Sequence, residues 1–240
     1  MTALNEKVTP AYIKAYAKEH TQHYTDITEQ IINAMCLTHT GKMLNIPSVS
    51  TSPLNDHCLK RAEDKNSPCY KCYSMRMMKR YKTLAEKLEK NTRLFTTQII
   101  PIEQLPILPP EIKAFRFEAF SDLINAIQAT NYINMCLVNP HIIHTIWTKN
   151  PQYLYNSMLL HGTEKPGNMI IIYSSPKLNK PAANMLKLYN GMIDKIFTVW
   201  TDNDTAAEND AIINCGKRSC NTCGLCYTMN NVKLIHELLK

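Results

Sequence analysis

The stretch HIIHTIWTKNPQYLYNSMLLHGTEKPGNMIIIY, residues 141–173, decides how this chain folds. His141–Trp147 (HIIHTIW) reads as a strand, and Pro151–His161 as a helix closed by Gly162. Met169–Tyr173 (MIIIY) reads as a buried strand, because its apolar run is unbroken. Strand, helix and strand in succession make a βαβ unit, and such units build parallel sheets.

The rhythm extends both ways. Upstream, Ala114–Ala119 (AFRFEA) has a strand pattern and Asp122–Val138 a helical one, ended by Asn139-Pro140. Downstream, Pro181–Asn190 reads as a helix ended by Gly191, and Lys195–Trp200 (KIFTVW) as the last strand. Nearer the N terminus, Leu44–Ser50 is a short strand candidate, Thr51–Pro68 a polar loop, and about Tyr70 to Lys90 one helix. Pro101–Pro110 holds four prolines and is irregular. Residues 1–40 read as one or two helices, with Thr9-Pro10 a start, Thr28 opening the second and Gly41 capping it. The expectation is one α/β domain over residues 1–240. It is a partial (β/α) barrel or an open parallel sheet with flanking helices. An N-terminal helical extension (1–40) and a C-terminal cysteine segment (213–240) complete it.

With 240 residues, 45% hydrophobic and 20% charged, the chain can bury a core without disulfides. Disordered, collagen-like and low-complexity classes are excluded. No apolar run approaches the roughly 18 residues that span a bilayer, and Met1–Tyr16 lacks the apolar core of a secretion signal. The expectation is a soluble, cytoplasmic protein with no membrane partner and reduced thiols. Its nine cysteines then read as metal ligands or catalytic groups rather than bridges.

The strongest chemical signal is Cys215-x4-Cys220-x2-Cys223-x2-Cys226. Four thiols this close in sequence turn onto one centre, and thiolates are the soft ligands of iron–sulfur clusters and zinc. The first three copy the spacing of plant-type ferredoxins, and the serial x2 gaps resemble bacterial cluster loops. Zinc more often uses two separated knuckles, so it stands as the alternative metal. Gly216 and Gly224 permit the tight turns. A second group is Cys58-x10-Cys69-x2-Cys72, with His57 beside it. Three ligands leave one position for a substrate or chelating cofactor; the bland alternative is buried thiols at a helix start. Cys36 and Cys136 lie among apolar residues and read as core. In a parallel β/α fold, loops after the strands share one rim. The two thiol groups are therefore expected to meet there, holding one or two [4Fe–4S] clusters.

Polar groups gather at the same rim. Arg116, Glu118 and Asp122 share a face by period two, so Arg116 and Glu118 are expected to pair or to face a ligand. Lys149 and Ser174 end the next two strands. His141 and His144, inside a strand, read as structural. Dinucleotide, P-loop and serine-hydrolase motifs are absent from the sequence. Charge is equally localised. Residues 60–93 hold eleven basic side chains against four acidic ones, a surplus equal to the +7 of the whole chain. Such a segment attracts nucleic acid, an anionic cofactor or a host protein. The plain alternative is a wet helix face with pairs such as Glu86/Lys90.

On these residues the chain resembles a family of cysteine-rich bacteriophage proteins called gene product eighty-eight. The matching points are Cys69-Tyr70-Lys71-Cys72-Tyr73, Arg116 with Ser121-Asp122, Trp147-Thr148-Lys149, and Cys215 to Cys226, within about residues 45–227. Ser121 stands where the family has Gly. The resemblance implies a viral protein in the host cytoplasm. The architecture is also similar to that of radical S-adenosylmethionine enzymes, although their C-x3-C-x2-C loop is not reproduced. That likeness implies a redox enzyme with S-adenosylmethionine as cofactor. Cys58, Cys69 and Cys72 would hold a cluster with an open site, and Arg116, Glu118, Asp122, Lys149 and Ser174 would line the ligand pocket. The other expectation is a binding protein without turnover, whose metal staples the fold while segment 60–93 grips nucleic acid or a host factor.

Overall fold

A computed structural model describes residues 8–38, 42–216 and 218–239, so Gly41 and its capping role lie outside the described residues. Two helices come first, α1 (Pro10–His20) and α2 (Asp26–Ala34). Thr9 caps α1 by accepting the Tyr12 N–H at 3.1 Å. α2 opens at Thr25, one turn before the expected Thr28, because these two threonines form a reciprocal cap.

Six strands then pair in parallel and in chain order. They are β1 (Ser48–Val49), β2 (Ala114–Phe117), β3 (Ile143–Thr148), β4 (Met169–Ser174), β5 (Lys195–Trp200) and β6 (Leu234–Leu238). Crossovers in a parallel sheet are right-handed, so strands laid down in order send their crossovers to one face. That face is thick. Phe115, Phe117, Ile146, Ile171 and Ile196 pack there against Tyr132, Ile133 and Cys136 of α6 (Ala126–Val138) and Leu154 and Met158 of α7 (Gln152–His161). On the other face Ala114, Ile170, Ile172 and Ile235 meet loop residues, chiefly Ile46, Cys226 and Tyr227.

The sheet is the expected open parallel one, with local differences. β6 was not foreseen, because LIHEL mixes His and Glu into a short run. Period two puts Ile235 and Glu237 on the loop-covered face, while His236 accepts the Trp200 indole N–H at 3.0 Å on the other. The expected polar loop 51–68 contains α3 (Asp56–Ala62), which Asn55 starts by accepting the Cys58 N–H at 3.0 Å. The expected helix over 70–90 is two, α4 (Tyr73–Arg80) and α5 (Lys82–Thr96), because Tyr81 is extended at φ −124, ψ 100. No α-helix forms over 181–190. Two short 3-10 turns, Ala183–Lys187 and Tyr189–Gly191, replace it, and left-handed φ at Tyr189 and Asn190 stops propagation. The helix expected from Asp122 starts at Ala126, behind the Asn125 cap. His144 is structural as expected: buried between Phe115 and Phe117, it is held down to about 3 by desolvation.

One acid ties these layers together. β2 stops at Phe117 because Glu118 takes a left-handed φ of +55 and turns its carboxylate toward the helices. There it accepts from the Thr51 N–H (3.1 Å), the Thr51 hydroxyl (3.2 Å), Gln128 (2.7 Å) and Tyr132 (2.5 Å). The chain after β1, the end of β2 and α6 are thus joined at a carboxylate 2% exposed. Desolvation dominates and pushes its pKa up to about 7, while the Tyr132 and Thr51 donors pull it back down and the Asp122 charge adds to the rise.

Two outcomes are expected. Ile171→Ala, at a fully buried position in β4, destabilises by about 2–5 kcal/mol in urea unfolding, whereas Leu160→Ala, 77% exposed, stays within about 0.5 kcal/mol. Glu118 holds its proton more tightly folded (about 7) than unfolded (ordinarily 4.5), so its contribution to stability is greatest below the unfolded value and is lost as pH rises through the folded one. Paired unfolding curves of wild type and Glu118→Gln should therefore diverge progressively across that window and run parallel outside it. A constant difference would contradict the assignment.

Candidate functional site

Loops after the C-terminal strand ends enclose a cavity of about 290 Å³. The loop after β1 contributes Cys58, Cys69 and Cys72, and the segment between β5 and β6 contributes Cys215, Cys220 and Cys226. Thiols more than 140 positions apart in sequence thus share one chamber. Cys223 sits one step away: with Cys215, Cys220 and Cys226 it rings a second, tight cavity of about 20 Å³. Among the described residues, no three His, Cys, Asp or Glu side chains stand close enough to hold a single metal ion. His57 turns away and bonds the Tyr153 hydroxyl at 2.8 Å.

The C-terminal thiol segment is pinned across the loop-covered face. Its short helix α8 (Cys220–Cys223) starts at Ser219 and ends at Gly224, whose φ of +68 turns the chain back. Gly216 also has positive φ, at 116. The Cys220 N–H donates to the Lys42 carbonyl at 2.6 Å, and Thr145 on β3 donates to the Cys226 carbonyl at 3.0 Å. Lys195, buried on β5, donates to the Leu225 carbonyl (2.7 Å) and Asn230 (2.6 Å). Lys42 in turn pairs with Glu237 at 2.5 Å and reaches the Cys215 sulfur at 3.4 Å.

Arg116, Glu118, Asp122, Lys149 and Ser174 all line the larger cavity, but their partners differ from expectation. Arg116 does not pair with Glu118. Strand β2 ends between them, so Glu118 bonds the helical layer while Arg116 stays on the cavity face. There its guanidinium lies 4.1 Å from the Trp147 ring centroid and donates to the Met43 sulfur at 3.4 Å. Asp122 accepts from Arg61 (3.1 Å), the Thr148 hydroxyl (2.6 Å) and the Lys149 N–H (3.0 Å). It latches α3, and with it Cys58, to the end of β3. Lys149 donates its ammonium to Ser174 at 2.8 Å. Both acids named from the sequence therefore spend their oxygens on the protein, and the polar groups facing the cavity are mainly cationic.

Burial raises the thiol pKa values. Desolvation, with the Asp122 charge adding, pushes Cys58 up to about 11. Desolvation, with neighbouring thiols adding, pushes Cys226 up to about 12 against the pull of Arg116 and Lys195. Cys215 and Cys220 are raised for the same primary reason. Sequence reasoning missed Lys42, Arg61, Phe197 and Glu237 at the cavity. Arg61 had a signal, standing one helical turn after Cys58. Glu237 had one too, alternating with Ile235. Lys42 had none.

No curated protein and no solved structure matches the chain. A family model described as Gene product 88 does match, over residues 11–232. It spans the helical layer, the thiol loop after β1 and the four C-terminal thiols together. The chain belongs to the Gene product 88 family.

Proposed function

We propose that this protein binds a [4Fe–4S] cluster at the rim of its sheet and works there as a redox or radical S-adenosylmethionine-type enzyme. The observation carrying this is the convergence of six cysteines from two distant segments on one 290 Å³ chamber. Cys215, Cys220, Cys223 and Cys226 form one donor set; Cys58, Cys69 and Cys72 form another with a position to spare. A buried polar group without a partner costs about 1–3 kcal/mol; beside the C-terminal thiols Arg116 Nε and Tyr227 Oη lack a hydrogen bond of good geometry, the guanidinium and the phenol standing close enough to interact with each other. Both are donors suited to an anionic, sulfur-rich group. Arg116 also lowers the pKa of Cys220 and Cys226 against their burial. A single zinc needs its sulfurs about 3.8 Å apart, given Zn–S bonds near 2.3 Å. A cluster gives each thiolate a different iron, so wider spacing suits it better.

The cluster, when bound, supplies one-electron chemistry. The chain's own residues do the rest. Lys42, Lys195 and the Cys220 N–H hold the thiol segment in place. Asp122 and Arg61 hold Cys58 at the rim. Arg116 and Lys149 present positive charge to a carboxylate-bearing ligand such as S-adenosylmethionine, and Trp147 and Phe197 offer it apolar walls. The thiols give up protons on loading, so loading favours higher pH.

Anaerobic purification should yield a brown protein containing iron and acid-labile sulfide. A colourless protein with zinc sinks the proposal. Replacing Cys220 and Cys223 with Ser should remove most iron when only the C-terminal set binds and about half when two clusters are present. Replacing Cys69 and Cys72 should halve it when two clusters are present and leave it unchanged when only the C-terminal set binds. Arg116→Gln should move the reduction potential in the negative direction, because a cation next to the cluster is lost. Reductant plus S-adenosylmethionine should release 5′-deoxyadenosine; release of none confines the enzyme to plain redox chemistry.

A further inference from the structure

We propose that single-stranded nucleic acid binds along the strip formed by α3, α4 and α5, with bases stacking on Tyr70, Tyr73 and Tyr81. This goes beyond the iron–sulfur reading and does not depend on it.

The first observation is the lack of neutralisation. Of the eleven basic side chains in residues 60–93, only Arg61 forms an ion pair among the described residues, with Asp122. One of the four opposing acids, Asp64, is taken by Lys177 from outside the segment. The Glu86/Lys90 pair of the plain alternative is absent from those same ion pairs. Exposed charges are satisfied by water whether or not they pair; what matters is the surplus of seven cations in one segment, which makes a positive strip that attracts phosphates.

The second observation is aromatic. Tyr70, Tyr73 and Tyr81 are 45%, 56% and 43% exposed, high values for rings that usually hide. They alternate in sequence with Lys71, Arg76, Lys79, Arg80 and Lys82. The Arg80 guanidinium sits 5.4 Å from the Tyr81 centroid, and Tyr73 stacks on Phe120 at the cavity rim, centroids 6.1 Å apart. Stacking rings among cations are what unpaired bases need, while a closed duplex hides its base faces. Further along α5, Lys90 and Arg93 stand with Glu86 in a groove of about 730 Å³ against α2, where Lys87 donates to the Met35 carbonyl at 2.8 Å. Tyr73 at one end places the bound strand beside the thiol chamber.

The test is fluorescence anisotropy of the full-length protein as isolated. Probes are a labelled oligothymidylate, a duplex of equal length and a heparin fragment, across a salt series. The single strand should bind more tightly than the duplex, with affinity falling steeply as salt rises. Tyr81→Ala should weaken it between about 5-fold and 160-fold, the range for a stacked base, whereas Tyr81→Phe should restore binding. Lys79→Gln with Arg80→Gln should reduce the magnitude of the log–log salt slope by about 0.7 per phosphate contact removed. Lys187→Gln, outside the strip, should change neither. Melting curves of each variant separate lost binding from lost folding. Duplex or heparin bound as tightly as the single strand, affinity indifferent to Tyr81→Ala in a folded variant, or no binding at low salt would each overturn the proposal.

Discussion

A parallel sheet whose strands follow one another in chain order is one-sided by necessity. Up to β5 the crossovers return over one face, so the long helices packed on the strands, α5, α6 and α7, land behind them. The front face is left with Ala114, Ile170, Ile172 and Ile235, too apolar to meet water. Something irregular has to cover it, and the segment bearing four thiols does so with Cys226 and Tyr227. The need to seal the front face and the gathering of sulfur at its mouth are one event. Chemistry-bearing loops end up over the sheet because topology denies that face a helix.

Fixed carboxylates then set the charge of the mouth. Glu118 and Asp122 accept hydrogen bonds from several elements each, and neither is free to serve a ligand. Their task is to hold strand ends and α3 in register. Arg116 and Lys149 remain on the cavity side with sulfur, an aromatic ring and a hydroxyl for neighbours. A mouth of this kind prefers anionic guests, in keeping with the unneutralised strip that adjoins it.

Much of this was legible in the sequence, because periodicity reports burial. MIIIY and HIIHTIW lie where strands were read, and the parallel order followed from the helices between them. The shared rim of two cysteine groups followed from the rule that loops after strands lie on one edge. What stayed hidden depends on long-range partners. β6 is too short and too polar to declare itself without Trp200 beside it. The turn at Glu118 reverses the side on which a carboxylate falls, and period-two counting assumes no such turn. Tyr81 breaks a segment whose composition is helical throughout. The helix read over residues 181–190 failed because two successive left-handed residues cannot be seen in composition.

The pinning of the thiol segment has a consequence for how the molecule comes into being. Its anchors are Lys42 near the start, Thr145 in the middle and Lys195 and Glu237 late. During synthesis five strands and their helices can assemble on the ribosome with the front face still bare. That face is covered only once residues 215–230 have emerged to meet Lys42, Thr145 and Lys195.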